Sequence, residues 1–290
     1  MLENLLSPLV STEWLATRLG RPQVRVVDGS WYLPTMGRNA AAEYAAGHIP
    51  GAVFMDLDAA SDQSTTLPHM LPPATEFAAR MGALGLDDTS TIVIYDGSGV
   101  NLSAPRVWWM FRVFGHSRVA VLDGGLGKWK AEGRPLEGGV ARPPAGRFTA
   151  RLDSGQLRDL TAVRANVEGG AEQVVDARPA ERFEGKQPEF RPGVRSGHIP
   201  GSLNLPYTEM VGAGGTMLLA PALAARFRAA GLDLERPIVA TCGSATSACA
   251  LVLGLAVLGR DAAVYDGSWT EWGSRDDLPI ELGPPRRAHA

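Results

Sequence analysis

The chain states one plan twice, and a duplication of this kind leaves few folds open. Val26-Val27-Asp28 recurs as Val174-Val175-Asp176, and Gly47-His48-Ile49-Pro50-Gly51 recurs as Gly197-His198-Ile199-Pro200-Gly201. Asp123-Gly124-Gly125 with Trp129 returns as Asp266-Gly267-Ser268 with Trp272. Two domains of one shared fold follow, and 290 residues are enough to bury a core in each. The first domain is expected over residues 8–136 and the second over 158–282, with a linker at 137–157. Within that linker Glu137 to Arg147 reads EGGVARPPAGR, which has little to bury. The closing GPPRRAHA is expected to fray.

Inside each copy, short β-branched runs alternate with longer helical patterns. VRVVD, TIVIYD and RVAVLD in the first copy answer to QVVDA, PIVATC and AAVYDG in the second. Helices are expected from Pro105 to Phe114 and from Pro221 to Ala230, the latter closed by Gly231. The pattern predicts an α/β fold of two tandem domains, each a mostly parallel sheet with helices on both faces. Ligands of such sheets bind beyond the carboxyl ends of the strands, so the residues directly after TIVIY and PIVAT are the ones to inspect.

Composition removes several functions. Lys plus Arg number 28 against 31 Asp plus Glu, a net charge of -3 without a basic run, which argues against a nucleic-acid partner. The two cysteines, Cys242 and Cys249, are too few for a disulfide framework or a four-thiolate metal site. The first twenty residues lack a basic stretch ahead of an apolar one, and the longest apolar run, Ala248 to Leu258, is shorter than the roughly 18 residues of a bilayer span. A cytoplasmic protein with no membrane partner is the expectation.

The second strand-to-loop junction carries the chemistry. Ile238-Val239-Ala240-Thr241 leads into Cys242-Gly243-Ser244-Ala245-Thr246-Ser247, and an apolar helix is expected to begin near Ser247. Small residues let the loop curl with its N–H groups inward, and the helix adds its positive end, so a thiolate or bound anion gains stability there. Cys242 is the candidate nucleophile. At the same place in the first copy IVIYDGSG stands against IVATCGSA, so Asp96 takes the position of the thiol.

The doubled domain, both GHIPG motifs, the SAPRVWWMF segment from Ser103 to Phe111, the LDGG and YDGSW turns and the CGS loop resemble the tandem rhodanese family of sulfurtransferases. The resemblance spans roughly residues 10 to 280, and CGS after the strand is similar to the branch that uses 3-mercaptopyruvate. It implies that Cys242 attacks the donor sulfur, pyruvate leaves, and a Cys242 persulfide passes sulfur to a thiol such as thioredoxin or a small thiol, or to cyanide, with no metal and no organic cofactor required. The resemblance further implies general acid–base help from Ser244, His69 in PHMLP and Asp58 in FMDLD, the last two from the first domain. It assigns Arg182 in ERFEG and Arg191 in EFRPG to binding of the substrate's carboxylate and carbonyl, a task suited to the guanidinium fork. Gly243, Ser244, Ala245, Thr246 and Ser247 would cradle the persulfide, and a monomer is expected.

One departure stands out. The family loop continues Gly-Val-Thr where this chain has Ala245-Thr246-Ser247, so a residue that avoids positive φ replaces one that adopts it freely. Thiosulfate as donor is the nearest rival reading; it favours basic residues beside the cysteine, where Gly243 and Ser244 stand. A rhodanese-like phosphatase or arsenate reductase needs arginine six residues after the cysteine, where Ala248 stands. A noncatalytic binding module suits the first domain, since Asp96 cannot form a persulfide. Cys249 reads as a core thiol, His48 and His198 as turn residues, and Trp108, Trp109, Trp129 and Trp272 as packing.

Overall fold

The computed structural model describes residues 7–285. The last five residues of the GPPRRAHA tail lie outside the described residues. The chain divides into two compact units. Of the described residues, the first holds those up to Gln63, Leu71–Asp153 and Val211–Met217. The second holds Ser64–Met70, Ser154–Met210 and the described residues from Leu218 onward.

In the first unit five strands, β1 (Leu9–Val10), β2 (Val24–Asp28), β3 (Ala52–Phe54), β4 (Thr91–Tyr95) and β5 (Val119–Leu122), form one sheet in the order β1-β5-β4-β2-β3. Every pairing in it is parallel. Its helices are α1 (Thr12–Ala16), α2 (Ala40–Ala46), α3 (Ala74–Ala83), α4 (Ala104–Val113) and α5 (Gly125–Ala131). Side chains of one parity, Val26, Val93, Tyr95, Ala120 and Leu122, share a core with Leu15, Tyr44, Leu126 and Trp129. Those of the other parity, Val27, Ile92, Ile94 and Val121, are equally buried, and α4 packs on β4 and β5. Burial of both parities is what a parallel sheet covered on two faces requires, and it explains why these strands read as unbroken apolar runs.

The second unit repeats the plan. Strands β6 (Leu157–Arg158), β7 (Gln173–Asp176), β8 (Leu203–Asn204), β9 (Ile238–Thr241) and β10 (Ala263–Tyr265) take the order β6-β10-β9-β7-β8, again all parallel. The helices are α6 (Leu160–Gly169), α7 (Ala180–Phe183), α8 (Ala220–Ala229), α9 (Ala248–Val257) and α10 (Ser268–Gly273). Val163, Val174, Ile199, Val239, Tyr265, Trp269 and Trp272 form a core in this unit. Both α4 and α8 begin and end one residue earlier than the sequence suggests, which places Pro105 and Pro221 at the second helical position. Proline is still harmless there, because the first-turn N–H groups have no helical acceptor. Among the described residues no helix is long and apolar enough to cross a membrane, and the apolar run from Ala248 is the buried α9.

The repeated histidines do the same work in each unit. His48 pairs with Glu137 through two backbone hydrogen bonds, and its Nδ1 lies 2.9 Å from the Tyr44 carbonyl. His198 pairs likewise with Glu281, with Nδ1 2.9 Å from the Phe183 carbonyl. Residues 137–153, spacer-like in composition, are strapped to the first unit. Gly139 donates to the Ala45 carbonyl, Gly146 to that of Gly82, Arg151 to that of Phe114 and Asp153 to that of Val113. The glycines serve close approach here: a Cβ on Gly146 would lie 2.2 Å from the Leu86 carbonyl oxygen.

Candidate active site

Cys242 follows directly on β9 and is buried, with a six-residue loop leading to α9. The start of α10 fastens that loop. Trp269 N–H donates to the Cys242 carbonyl at 2.9 Å, and both the N–H and the hydroxyl of Thr270 donate to the Gly243 carbonyl, at 3.0 and 2.6 Å. Ser268 Oγ accepts from the N–H groups of Cys242 (3.3 Å) and Ala245 (3.0 Å) and donates to the Tyr265 carbonyl at 2.8 Å. Ser268 sits at φ +51°, and its counterpart Gly125 sits at φ +52°. The second copy thus tolerates a serine in a glycine conformation, and its hydroxyl ties down the cysteine loop.

Ala245 is also left-handed, at φ +58°, and fully buried; its counterpart in the first copy is Gly99 at φ +78°. The loop therefore needs the conformation that alanine disfavours by about 1–2 kcal/mol. Part of the relief that glycine would bring is offset by its freer unfolded chain, about 0.4–1 kcal/mol. Ala245→Gly is expected to stabilise the protein by no more than about 1 kcal/mol, read as a small rise in the urea midpoint at unchanged slope. A loss of stability on this substitution would show that the left-handed alanine is not strained.

The first copy displays what the loop holds. Asp96 is buried, and its carboxylate accepts N–H groups from Ser98 (2.8 Å), Ser103 (3.0 Å) and Ala104 (2.8 Å), with the Ser98 hydroxyl at 2.5 Å. Ser98 matches Ser244 in register, and Ser103 and Ala104 stand at the start of α4 as Ser247 and Ala248 stand at the start of α9, across a loop two residues longer. Leu126 N–H donates to the Asp96 carbonyl as Trp269 N–H donates to that of Cys242. In one copy the strand–loop–helix junction surrounds a carboxylate, and in the other a thiol follows the matching strand.

Of the residues expected to act with Cys242, the second unit brings together four. His69, at φ +62° and buried, belongs to the segment Ser64–Met70 of that unit. Its Nδ1 lies 2.9 Å from Ser244 Oγ and 3.0 Å from Thr246 Oγ1. The guanidinium nitrogens of Arg191 and Arg182 lie 3.5 and 3.6 Å from the point where a Cβ on Gly243 would stand, so both arginines reach the loop beside Cys242. Asp58 is placed in the first unit, where its carboxylate accepts from the Trp31 indole N–H at 3.0 and 3.1 Å. Ser247 immediately precedes α9. Cys249 is buried, and its thiol lies 3.1 Å from the Ala245 carbonyl, as befits a packing residue.

Several contributors escape a reading of the sequence. Arg178 is buried and forks onto Asp176, with Nη2 at 2.6 Å, while its Nη1 lies 2.8 Å from Glu189. Burial opposes the charge of Arg178, yet Asp176 and Glu189 outweigh it and hold its pKa above the usual arginine value. Glu189 also pairs with Arg182, so one buried carboxylate joins the guanidinium groups of Arg178 and Arg182. The Phe190 ring lies 4.7 Å from Arg182 and 4.6 Å from Arg191, and Thr270 Oγ1 is 3.4 Å from Arg191 Nη1. Only the exchange of Gly125 for Ser268 between otherwise matching turns signals any of this in the sequence.

The model of the rhodanese-like domain matches twice, over residues 11–132 and 159–275. The chain belongs to the rhodanese family. The rat 3-mercaptopyruvate sulfurtransferase is 45% identical over 94% of this chain and 94% of its own length. The Arabidopsis thaliana thiosulfate/3-mercaptopyruvate sulfurtransferase 1 is 44% identical over 94% of this chain and 78% of its own length. Among solved structures, SseA from Escherichia coli, described as a 3-mercaptopyruvate sulfotransferase with the rhodanese fold, superposes with a TM-score of 0.84 at 39% identity. The match covers 91% of this chain and 99% of that one. Both cysteines of this rhodanese lie in the second copy.

Proposed function

We propose that this protein is a sulfurtransferase that takes sulfur from 3-mercaptopyruvate onto Cys242 and hands it to a thiol or cyanide acceptor, releasing pyruvate. The observation that carries the reading is the pair of matched loops, one filled by the Asp96 carboxylate and the other bearing Cys242 beside Ser244 and His69. The Cys242 thiolate attacks the donor sulfur, and the carbon–sulfur bond breaks with its electron pair going to the pyruvate enolate. Ser244 delivers a proton to that enolate and is refilled from His69, 2.9 Å away. The product left on the enzyme is the Cys242 persulfide, whose negative charge suits the loop N–H groups and the positive end of α9.

Arg182 and Arg191 receive the donor's carboxylate and carbonyl, with Glu189, Phe190 and Thr270 holding them in place. The domain without the cysteine spans residues 8–136, apart from the segment Ser64–Met70 that carries His69 and belongs to the second unit, and the cysteine-bearing domain spans 158–282. The enzyme works as a cytoplasmic monomer with thioredoxin or a small thiol as acceptor. Thiosulfate is the second donor to test, because the relative from Arabidopsis thaliana carries both donors in its name.

The test compares pyruvate release and sulfur loading from the two donors. Loading from 3-mercaptopyruvate is expected to be the faster, and faster loading from thiosulfate would overturn the choice of donor. Arg191→Lys and Arg182→Lys each replace a two-pronged donor by a point charge. Each is expected to raise KM for 3-mercaptopyruvate roughly tenfold, the size of one lost charge-assisted hydrogen bond of about 1.5 kcal/mol. An unchanged KM in both would remove the arginines from the binding site.

A further inference from the structure

His69 Nδ1 faces two hydroxyls, and the proton relay described above uses only one. Thr246 Oγ1 lies 3.0 Å from Nδ1, nearly as close as Ser244 Oγ at 2.9 Å, and all three residues are buried. The Thr246 hydroxyl can also donate to the Ser244 carbonyl at 3.4 Å. A carbonyl oxygen only accepts, so a proton directed at it leaves a Thr246 lone pair facing the imidazole. When Ser244 directs its own proton to the substrate, Nδ1 meets a lone pair on each hydroxyl, an arrangement that suits the tautomer carrying hydrogen on Nδ1.

We propose that Thr246 is a positioning residue that keeps a proton on Nδ1 of His69, the nitrogen from which Ser244 is refilled. The inference rests on the relay reading and deepens it. In the donor half-reaction Cys–S⁻ and the mercapto sulfur form the new S–S bond while the C–S bond breaks. The enolate takes a proton from Ser244, and the proton on Nδ1 passes to Ser244. The products are the persulfide, pyruvate and a His69 with a lone pair at Nδ1. The Thr246 hydroxyl then turns from the carbonyl to donate to that lone pair, so Nδ1 stays paired both before and after the transfer. Transfer from thiosulfate expels sulfite, which needs no proton, so the two donors differ in their demand on Nδ1.

The experiment uses the whole protein labelled with 15N-histidine. The five histidines are few enough for His69 to be assigned by its loss in His69→Asn. Long-range proton–nitrogen correlation is expected to show Nδ1 protonated in the wild type and in Thr246→Ser, and shifted toward the unprotonated position in Thr246→Val, which keeps the shape and loses the hydroxyl. Turnover with 3-mercaptopyruvate is expected to fall about fivefold in Thr246→Val with KM within about twofold, the loss that one neutral hydrogen bond represents. Loading from thiosulfate should fall by a clearly smaller factor than turnover with 3-mercaptopyruvate, and Thr246→Ser should recover the 3-mercaptopyruvate rate. A wild-type Nδ1 signal and rate in Thr246→Val overturns the inference, as does equal slowing with both donors, which marks a plain loop defect. Full 3-mercaptopyruvate turnover in His69→Asn overturns the relay reading itself, and the inference with it.

Discussion

Cys242→Ser is expected to abolish sulfur loading, and the loss separates the two cysteines of this chain. A hydroxyl in place of the thiol is a far weaker nucleophile toward sulfur and cannot store a persulfide. Removing the nucleophile of a covalent mechanism costs roughly a thousandfold or more in turnover, because later steps have nothing to act on. Intact-protein mass after brief exposure to 3-mercaptopyruvate should show one added sulfur on the wild type and none on Cys242→Ser. The converse, Cys249→Ala, should still gain the sulfur, since that thiol is buried in α9 against the Ala245 carbonyl. Sulfur on Cys242→Ser would mean that Cys249 loads, and the loop assignment would fall.

The contrast also shows where the sequence is informative. Strands such as TIVIY and PIVAT are legible because a parallel sheet buried on both faces forces unbroken apolar runs. The turn motifs are legible because they occur twice, and His48 and His198 repeat their backbone pairing in each unit. Cys242 is legible because its position after a strand and among small residues is a local fact. Ser268 and Thr270 belong to α10, more than twenty residues beyond the cysteine loop they fasten, and nothing in a linear reading brings them to it. Glu189 looks like any surface acid until the fold buries it between Arg178 and Arg182. Residues 137–153 mislead for the opposite reason, because their bonding to the first unit is through backbone groups, to which composition is blind.

The same internal comparison makes Asp96 the most consequential residue of the first copy. Asp96→Ala is expected to cost about 3–5 kcal/mol of stability, since it strands N–H groups of Ser98, Ser103 and Ala104 that a buried carboxylate now satisfies. The loss should appear as a lower urea midpoint for the first unit. Asp96→Asn keeps the volume but turns an amide NH2 toward backbone donors, so it should fall between alanine and wild type. Asp96→Cys is the sharper variant, because it puts into the first loop the group that the second loop already holds. If that loop is built around an anion, the new thiol should react with iodoacetamide faster than Cys249 does and compete with Cys242 for the reagent. A stability change below about 1 kcal/mol in Asp96→Ala, together with an inert Asp96→Cys, would show that the carboxylate is incidental and that the likeness of the two loops does not extend to the charge they stabilise.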